Sequence, residues 1–426
     1  MLISFSVTNF RSIKETQTIY LSVDENLSKS GKSKDNFFNT RLKSEPHLLK
    51  SAAIYGANAS GKSNFIRALF VFNLVALNVN LKRGKNVGGN RNVKVFDPFI
   101  LNEENRSKPT EFKIDFITQK TRYVYAFGFD KTKIHFEKLE RFEGEERKII
   151  YEINLVGEEL KENFTELFEG KKDSIDSIKN NKNDLFLPLN VSKDGNPFLN
   201  PIYDWIEEKL FIANKPSHFQ KTAEWILESE ENKRKTLELL KASDLGIADF
   251  AIKKRELHER VFENEDFKSL PEEIKEDIKN HKEVIFTNSS GYSLDFNDLS
   301  DGSKTLFNLT KPIFETLENG GVLFFDELDR SLHPDVLKNI VRIFHDPNLN
   351  KNKAQIVFTL HNDILLEKKE KILRHDQVWF ASKVKDGATE LYSLSEFEDV
   401  KKSDNIVKKY REYDFGARPF IKDLNY

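Results

Sequence analysis

The sequence predicts an α/β protein with one lobe on a mixed or antiparallel sheet, a second lobe on a parallel sheet, and a mainly helical arm inserted between them. Three observations carry this reading. Four β-rich runs, 112–117, 123–129, 134–142 and 149–155, follow one another across polar turns such as Thr118-Gln119-Lys120, as antiparallel neighbours do. Strand and helix patterns alternate from about Ser303 to Ser382, as in a parallel sheet. From Gly157 to Lys282 acidic and Lys-rich helical patterns replace both. The expected division is 1–156, 157–282 and 283–426, which suits 426 residues at about 150 per domain.

Taken in order, residues 2–23 alternate (Leu2, Ser4, Phe5, Val7, then Thr16, Thr18, Tyr20), with Asn9-Phe10-Arg11-Ser12 as a turn between two strands. The Lys/Ser/Asn-rich stretch 26–44 reads as a loop. Ala52-Ala53-Ile54-Tyr55 is a short apolar strand, and it leads through a glycine turn into 64–77, whose apolar positions fit helical spacing. Gly84, Gly88 and Gly89 mark 83–91 as another loop. Within the arm 224–241 is the clearest helix, and the charge-dense pieces 228–235 and 272–282 read as solvated faces. A hairpin (284–287, 292–296) leads into a helix from about Ser303, a buried strand 322–325, a helix from Pro334, a strand 356–360 and a last strand near 378–382.

Composition excludes several classes. Lys+Arg total 67 against 69 Asp+Glu, so a net charge of -2 provides no global basic field for nucleic acid or membrane. Any such surface is local, and Lys82-Arg83-Gly84-Lys85 and Lys253-Lys254-Arg255 are the candidates for a nucleic-acid contact. With no cysteine, thiolate nucleophiles, disulfides and Cys-ligated zinc drop out. Met1 to Phe5 lacks a basic leader, and the longest apolar stretch, 68–77, is too short to cross a bilayer. A soluble cytoplasmic protein is expected.

Gly56-Ala57-Asn58-Ala59-Ser60-Gly61-Lys62-Ser63 matches the phosphate-loop pattern G-x-x-x-x-G-K-[ST], between a strand and a helix where its mechanism needs it. Its glycines let successive N–H groups point at phosphate oxygens, and the helix adds its positive end. Lys62 then reaches the β- and γ-phosphates and Ser63 ligates Mg²⁺. Downstream, Gly321-Val322-Leu323-Phe324-Phe325 ends in Asp326-Glu327. A strand buried on both faces of a parallel sheet delivers Asp326 to its carboxyl end, where ligands bind, to hold Mg²⁺. Glu327 is placed to polarise the attacking water. His361 closes the strand 356–360 behind Thr359 and is a candidate γ-phosphate donor.

Leu299-Ser300-Asp301-Gly302-Ser303-Lys304, ahead of a helix, resembles the signature motif of ABC-type ATPases. The order of phosphate loop, signature, Asp-Glu strand, Asp329 and histidine is the ABC order, and 26 residues separate Ser300 from Asp326. Leu328-Asp329-Arg330-Ser331-Leu332-His333-Pro334 resembles the D-loop of the SMC, Rad50 and RecF branch, as do Asn58 and Phe5-x-Val-x-Asn9-Phe10-Arg11-Ser12. Pro98-Phe99, Glu137-Lys138-Leu139, Asp184-Leu185-Phe186-Leu187 and Tyr413-Asp414-Phe415-Gly416-Ala417-Arg418-Pro419 resemble the bacterial AAA15 (RloA/AbiL-type) ATPases along nearly the whole chain. The resemblance implies an ABC-ATPase head that binds ATP with Mg²⁺. Gly56, Asn58, Ser60, Gly61, Lys62, Ser63, Ser300, Gly302 and Asp329 would bind the nucleotide, Ser63 and Asp326 the metal, and Glu327 and His361 would be catalytic. Two departures stand out: Asp301 replaces the usual Gly, and no glutamine suits a Q-loop, Gln119 lying in a hairpin turn.

A signature helix presents Ser300 and Gly302 at its N-terminus as an anion site with no phosphate of its own. A two-fold pair, in which each chain closes the ATP held by the other's Lys62, resolves this, so a homodimer or higher oligomer is expected. The resemblance implies an ATP-gated sensor that drives an effector, a Toprim- or HNH-type nuclease, in defence against bacteriophage. A RecF- or SMC-like role in DNA repair is the alternative, although the arm lacks the long heptads of SMC and Rad50 proteins. A nuclease within the arm is disfavoured, because Arg41 and His47 are the only Arg-His pair at the right spacing and lie in a loop, while Arg255 and His258 are too close.

Overall fold

The computed structural model describes residues 1–27, 31–40, 46–78, 95–168, 174–191, 198–213, 219–254, 264–367, 370–401 and 404–419. Arg41, the Lys82–Lys85 patch, Arg255 and His258 lie outside them. The chain forms two compact units. The larger holds Met1–Ala213, Thr316–Asp329 and Lys338–Tyr426, and the smaller holds Asn214–Glu315 and Arg330–Leu337.

In the larger unit the expected antiparallel sheet has seven strands. From one edge they are Glu159–Phe164, Glu146–Val156, Ile134–Glu143, Thr121–Phe129, Thr110–Thr118, Leu2–Thr8 and Gln17–Tyr20. The first of these falls in the stretch expected to be helical. Gly157, at φ 63°, makes the tight turn that pairs Glu159 with Val156. The strand was illegible because it is a mostly exposed edge, so its residues show no apolar alternation.

The second sheet of this unit has six strands, in the order Leu210–Ala213, Val322–Phe325, Gln355–Thr359, Ser51–Tyr55, Val378–Lys383 and Thr389–Ser393. The first five are parallel and the last pairs antiparallel at the edge. Every residue of Ser51–Tyr55 is buried, as a central parallel strand requires. The helix Lys62–Ala76 buries Phe65 and Phe72 against Phe5, both ring pairs at 5.7 Å, and Phe72 stacks on Phe127 at 5.5 Å. Buried Gln355 exchanges hydrogen bonds with the Leu2 backbone (2.7 and 3.0 Å), which ties the N-terminal strand to the parallel sheet. Two of the motifs that carried the resemblance meet here: buried Glu137 accepts from the Tyr125 and Tyr151 hydroxyls and from the backbone N–H groups of Phe186 and Leu187. Burial raises its pKa.

In the smaller unit the stretch read as one helix at 224–241 is two, Phe219–Leu227 and Glu230–Ala242. Ser229 is extended between them and its hydroxyl caps the second by accepting from the Asn232 N–H at 3.1 Å. A three-stranded antiparallel sheet (Ile247–Lys254, Lys282–Asn288, Ser293–Asp295) follows, so the arm region is not purely helical. Phe219, Phe250, Phe286, Phe296 and Phe307 pack on one another, with ring centroids from 4.3 Å for Phe219–Phe296 to 6.4 Å for Phe286–Phe296. This cluster joins residues from both sides of the expected boundary at 282. It draws the start of the helix Asp301–Asn319 into the smaller unit, whereas 157–209 folds with the larger one. Among the described residues no helix is long and apolar enough to cross a membrane.

Candidate nucleotide site

The phosphate loop leaves the central strand at Tyr55 and re-enters regular structure at Lys62. Gly61 takes φ 108° as the residue before the helix, and a Cβ there would lie 2.0 Å from Thr389 Oγ1. A Cβ on Gly56 would lie 2.4 Å from the Ala381 carbonyl oxygen. The loop is braced from behind by hydroxyls: Thr389 Oγ1 donates to the Ser60 carbonyl (2.8 Å) and shares a 2.8 Å hydrogen bond with Ser12 Oγ, which also accepts from Asn64 Nδ2 at 2.7 Å. The turn Asn9–Ser12 is therefore a buttress of the loop.

Lys62 is buried, and its Nζ donates to the Gly56 and Ala57 carbonyls at 2.6 and 3.1 Å. Burial lowers its pKa, opposed by Asp326, Asp329 and Glu327. Ser63 is exposed. Ser60 Oγ is buried with no hydrogen-bond partner among the described residues, an orphan that suits a loop shaped for an anion.

On the neighbouring strand ends, Thr359 Oγ1 donates to Asp326 Oδ1 and accepts from the Glu327 backbone N–H, both at 2.7 Å. Glu327 holds φ 56°, a conformation that side chains rarely adopt. His361 Nε2 lies 3.3 Å from Glu327 Oε1. Asp329 faces the His361 turn: its Oδ2 accepts from the His361 N–H, the Asn362 N–H and Asn362 Nδ2, each at 2.8 Å. Asn58, Ala59, Ser60, Gly61, Lys62, Ser63, Asn64, Glu327, His361 and Lys383 line one cleft of about 640 Å³.

The fold thus brings together Asn58, Ser60, Gly61, Lys62, Ser63, Glu327 and His361. Gly56 and Asp326 are tied to these residues by hydrogen bonds, Gly56 O accepting from Lys62 Nζ and Asp326 Oδ1 from Thr359 Oγ1, and Asp329 supports the histidine turn. Ser300 and Gly302 belong to the smaller unit, where Ser300 Oγ accepts from the Ser303 N–H (3.2 Å) as a helix cap, and a Cβ on Gly302 would lie 2.6 Å from the Ser331 carbonyl. Gln119 sits at a hairpin turn with φ 46°. Sequence reasoning passed over Thr359, Asn64, Thr389 and Lys383. The rule that ligands bind at the carboxyl ends of parallel strands would have flagged Thr359 and Lys383.

The family model described as "AAA domain, putative AbiEii toxin, Type IV TA system" matches residues 51–367, a stretch that holds the phosphate loop, the Asp326-Glu327 strand and His361. A search of curated proteins returns no match. Solved structures with a similar course include an SMC head bound to the C-terminal winged-helix domain of ScpA, with TM-score 0.45, 14% identity, and 92% of this chain and 97% of that chain covered. An SMC head with an extended coiled coil bound to the C-terminal domain of ScpA, derived from Pyrococcus furiosus, has TM-score 0.42 and 13% identity over 96% and 99%. The SMC head domain from Thermotoga maritima has TM-score 0.39 and 15% identity over 92% and 98%. At these scores the likeness is loose.

Proposed function

Because the chain belongs to this AAA-domain, AbiEii-type family, we propose that it is an ABC-type ATP hydrolase whose site is the cleft beside the phosphate loop. The observation that carries the reading is that Gly61, Lys62 and Ser63 share one cleft with Glu327 and His361. The Ser63 hydroxyl and the Asp326 carboxylate are hard oxygen donors that suit Mg²⁺, which retains waters and needs few protein ligands. When bound, Mg²⁺ neutralises charge on the β- and γ-oxygens. Lys62 exchanges the Gly56 and Ala57 carbonyls for phosphate oxygens. Glu327 takes a proton from the water that attacks the γ-phosphorus, and ADP leaves. His361, beside Glu327, donates to the γ-phosphate, and Asp329 keeps the histidine turn in place.

In this reading Ser300 and Gly302 of a second copy complete each site, so ATP closes a two-fold dimer and hydrolysis opens it. The motion controls a partner nuclease of Toprim or HNH type in cytoplasmic anti-phage defence, the AAA15 role. The family description carries the words "putative AbiEii toxin, Type IV TA system"; the defence role rests on the AAA15 resemblance of the sequence. If the chain binds nucleic acid, the contact falls on the Lys82-Arg83-Gly84-Lys85 or the Lys253-Lys254-Arg255 patch, with strongly salt-dependent affinity.

The test is a paired measurement of ATP binding and turnover. Glu327→Gln keeps ATP affinity and loses hydrolysis, and Lys62→Ala loses both. Ser300→Arg is inactive alone, and mixing it with Lys62→Ala restores part of the activity, because a mixed dimer has one intact site. Wild-type turnover by Lys62→Ala refutes the ATPase reading, and full activity of Ser300→Arg as a monomer refutes the shared site.

A further inference from the structure

Lys383 ends the strand Val378–Lys383, which runs parallel to Ser51–Tyr55 with Phe380 opposite Tyr55. The phosphate-loop strand stops at Tyr55, but its neighbour continues through Ala381 and Ser382 to Lys383, so the lysine stands beside the loop. Contact is close at this point, since the Ala381 carbonyl occupies the space left by the absent side chain of Gly56. Lys383 lines the same cleft as Lys62 and Ser63. It is exposed and, among the described residues, makes no ion pair. Edge strands carry such lysines to block pairing, but this strand is internal, between Ser51–Tyr55 and Thr389–Ser393. The hairpin that carries it is fastened to the loop by Thr389 and to the N-terminal turn by the Lys14–Asp386 ion pair at 2.9 Å.

Strand order decides which end of a nucleotide Lys383 meets. Glu327 and His361, which serve the γ-phosphate, follow the two strands on one side of the phosphate-loop strand, and Lys383 ends the strand on the other. A polyphosphate laid across the loop with its γ-phosphate toward Glu327 turns its α-phosphate toward Lys383. We propose that Lys383 is a second nucleotide-binding cation, contacting the α-phosphate end of a nucleoside di- or triphosphate. The proposal rests on the ATPase reading above.

The experiment measures the affinity of the full chain for Mg-ADP and Mg-ATP, together with kcat at saturating ATP, for wild type, Lys383→Ala, Lys383→Gln, Lys383→Glu and Lys383→Arg. Lys383→Ala and Lys383→Gln weaken ADP and ATP by the same factor, about tenfold, the low end for a charge-assisted hydrogen bond at a partly solvated site. Lys383→Glu weakens both further, Lys383→Arg stays near wild type, and kcat changes by less than about twofold because the reacting end is untouched. Unaltered affinity in folded Lys383→Gln and Lys383→Glu overturns the contact while leaving the ATPase reading intact. A loss confined to ATP moves Lys383 to the γ-phosphate and overturns the assignment. Wild-type protein that binds neither nucleotide overturns the ATPase reading, and this proposal with it.

Discussion

Thr359→Val is the sharpest perturbation of the site, because it deletes one buried hydroxyl and keeps the shape of the side chain. That hydroxyl donates to Asp326 Oδ1 and accepts from the Glu327 N–H, both at 2.7 Å, in a residue with no exposed surface. The bond to the carboxylate is charge-assisted and contributes about 2 kcal/mol, the neutral one about 1 kcal/mol. Glu327 already sits at φ 56°, so losing its N–H partner removes a restraint from a conformation that is costly by itself. If the combined figure of about 3 kcal/mol falls on positioning of the acidic pair, kcat drops roughly a hundredfold. Steady-state ATPase assays at saturating Mg-ATP read this directly, with metal-free ADP binding as the control that the loop is intact. Thr359→Ser retains the hydroxyl and restores most of the rate. A Thr359→Val protein that folds and turns over within twofold of wild type would show that the hydroxyl does not organise Asp326 and Glu327.

Two further outcomes follow from other polar contacts. Asp329→Ala leaves the His361 and Asn362 N–H groups and Asn362 Nδ2 without their acceptor, so kcat falls about tenfold while ADP affinity holds; a loss of ADP affinity like that of Lys62→Ala would return Asp329 to the nucleotide. His345 is buried with Nε2 2.8 Å from Ser51 Oγ, and burial, reinforced by Lys50, pushes its pKa down to about 3. Its neutral form is favoured by the fold, so the associated stability is complete above the unfolded-state pKa of about 6.5 and is lost as the pH falls toward 3, by about 1.4 kcal/mol per unit. Denaturant melts from pH 6.5 to 5 show wild type losing about 2 kcal/mol more than His345→Gln; parallel pH slopes for the two proteins would refute the assignment.

Sequence alone determined what is local. The phosphate loop was legible because one contiguous run, Gly56 to Ser63, carries its glycines, cation and hydroxyl between a strand and a helix. The acidic pair was legible because four apolar residues from Val322 mark a strand buried on both faces, and its end is a ligand edge. The antiparallel strands from Thr110 to Val156 were legible as four β-rich runs divided by short polar turns, which is how consecutive antiparallel neighbours are connected.

Tertiary structure decided what depends on register between distant segments. Gln355 meets Leu2 across 353 residues, Thr389 meets Ser12 across 377, and Thr359 meets Asp326 across 33, and no local pattern encodes these pairings. Lys383 looks like any charged strand end until Val378–Lys383 is laid beside Ser51–Tyr55. Asp329, two residues past Glu327, belongs to the histidine turn because the neighbouring strand presents the His361 and Asn362 N–H groups to it. Ser300 folds with the smaller unit, where Phe219, Phe250, Phe286, Phe296 and Phe307 from segments far apart in the chain pack around the helix that follows it, a grouping that no local pattern encodes.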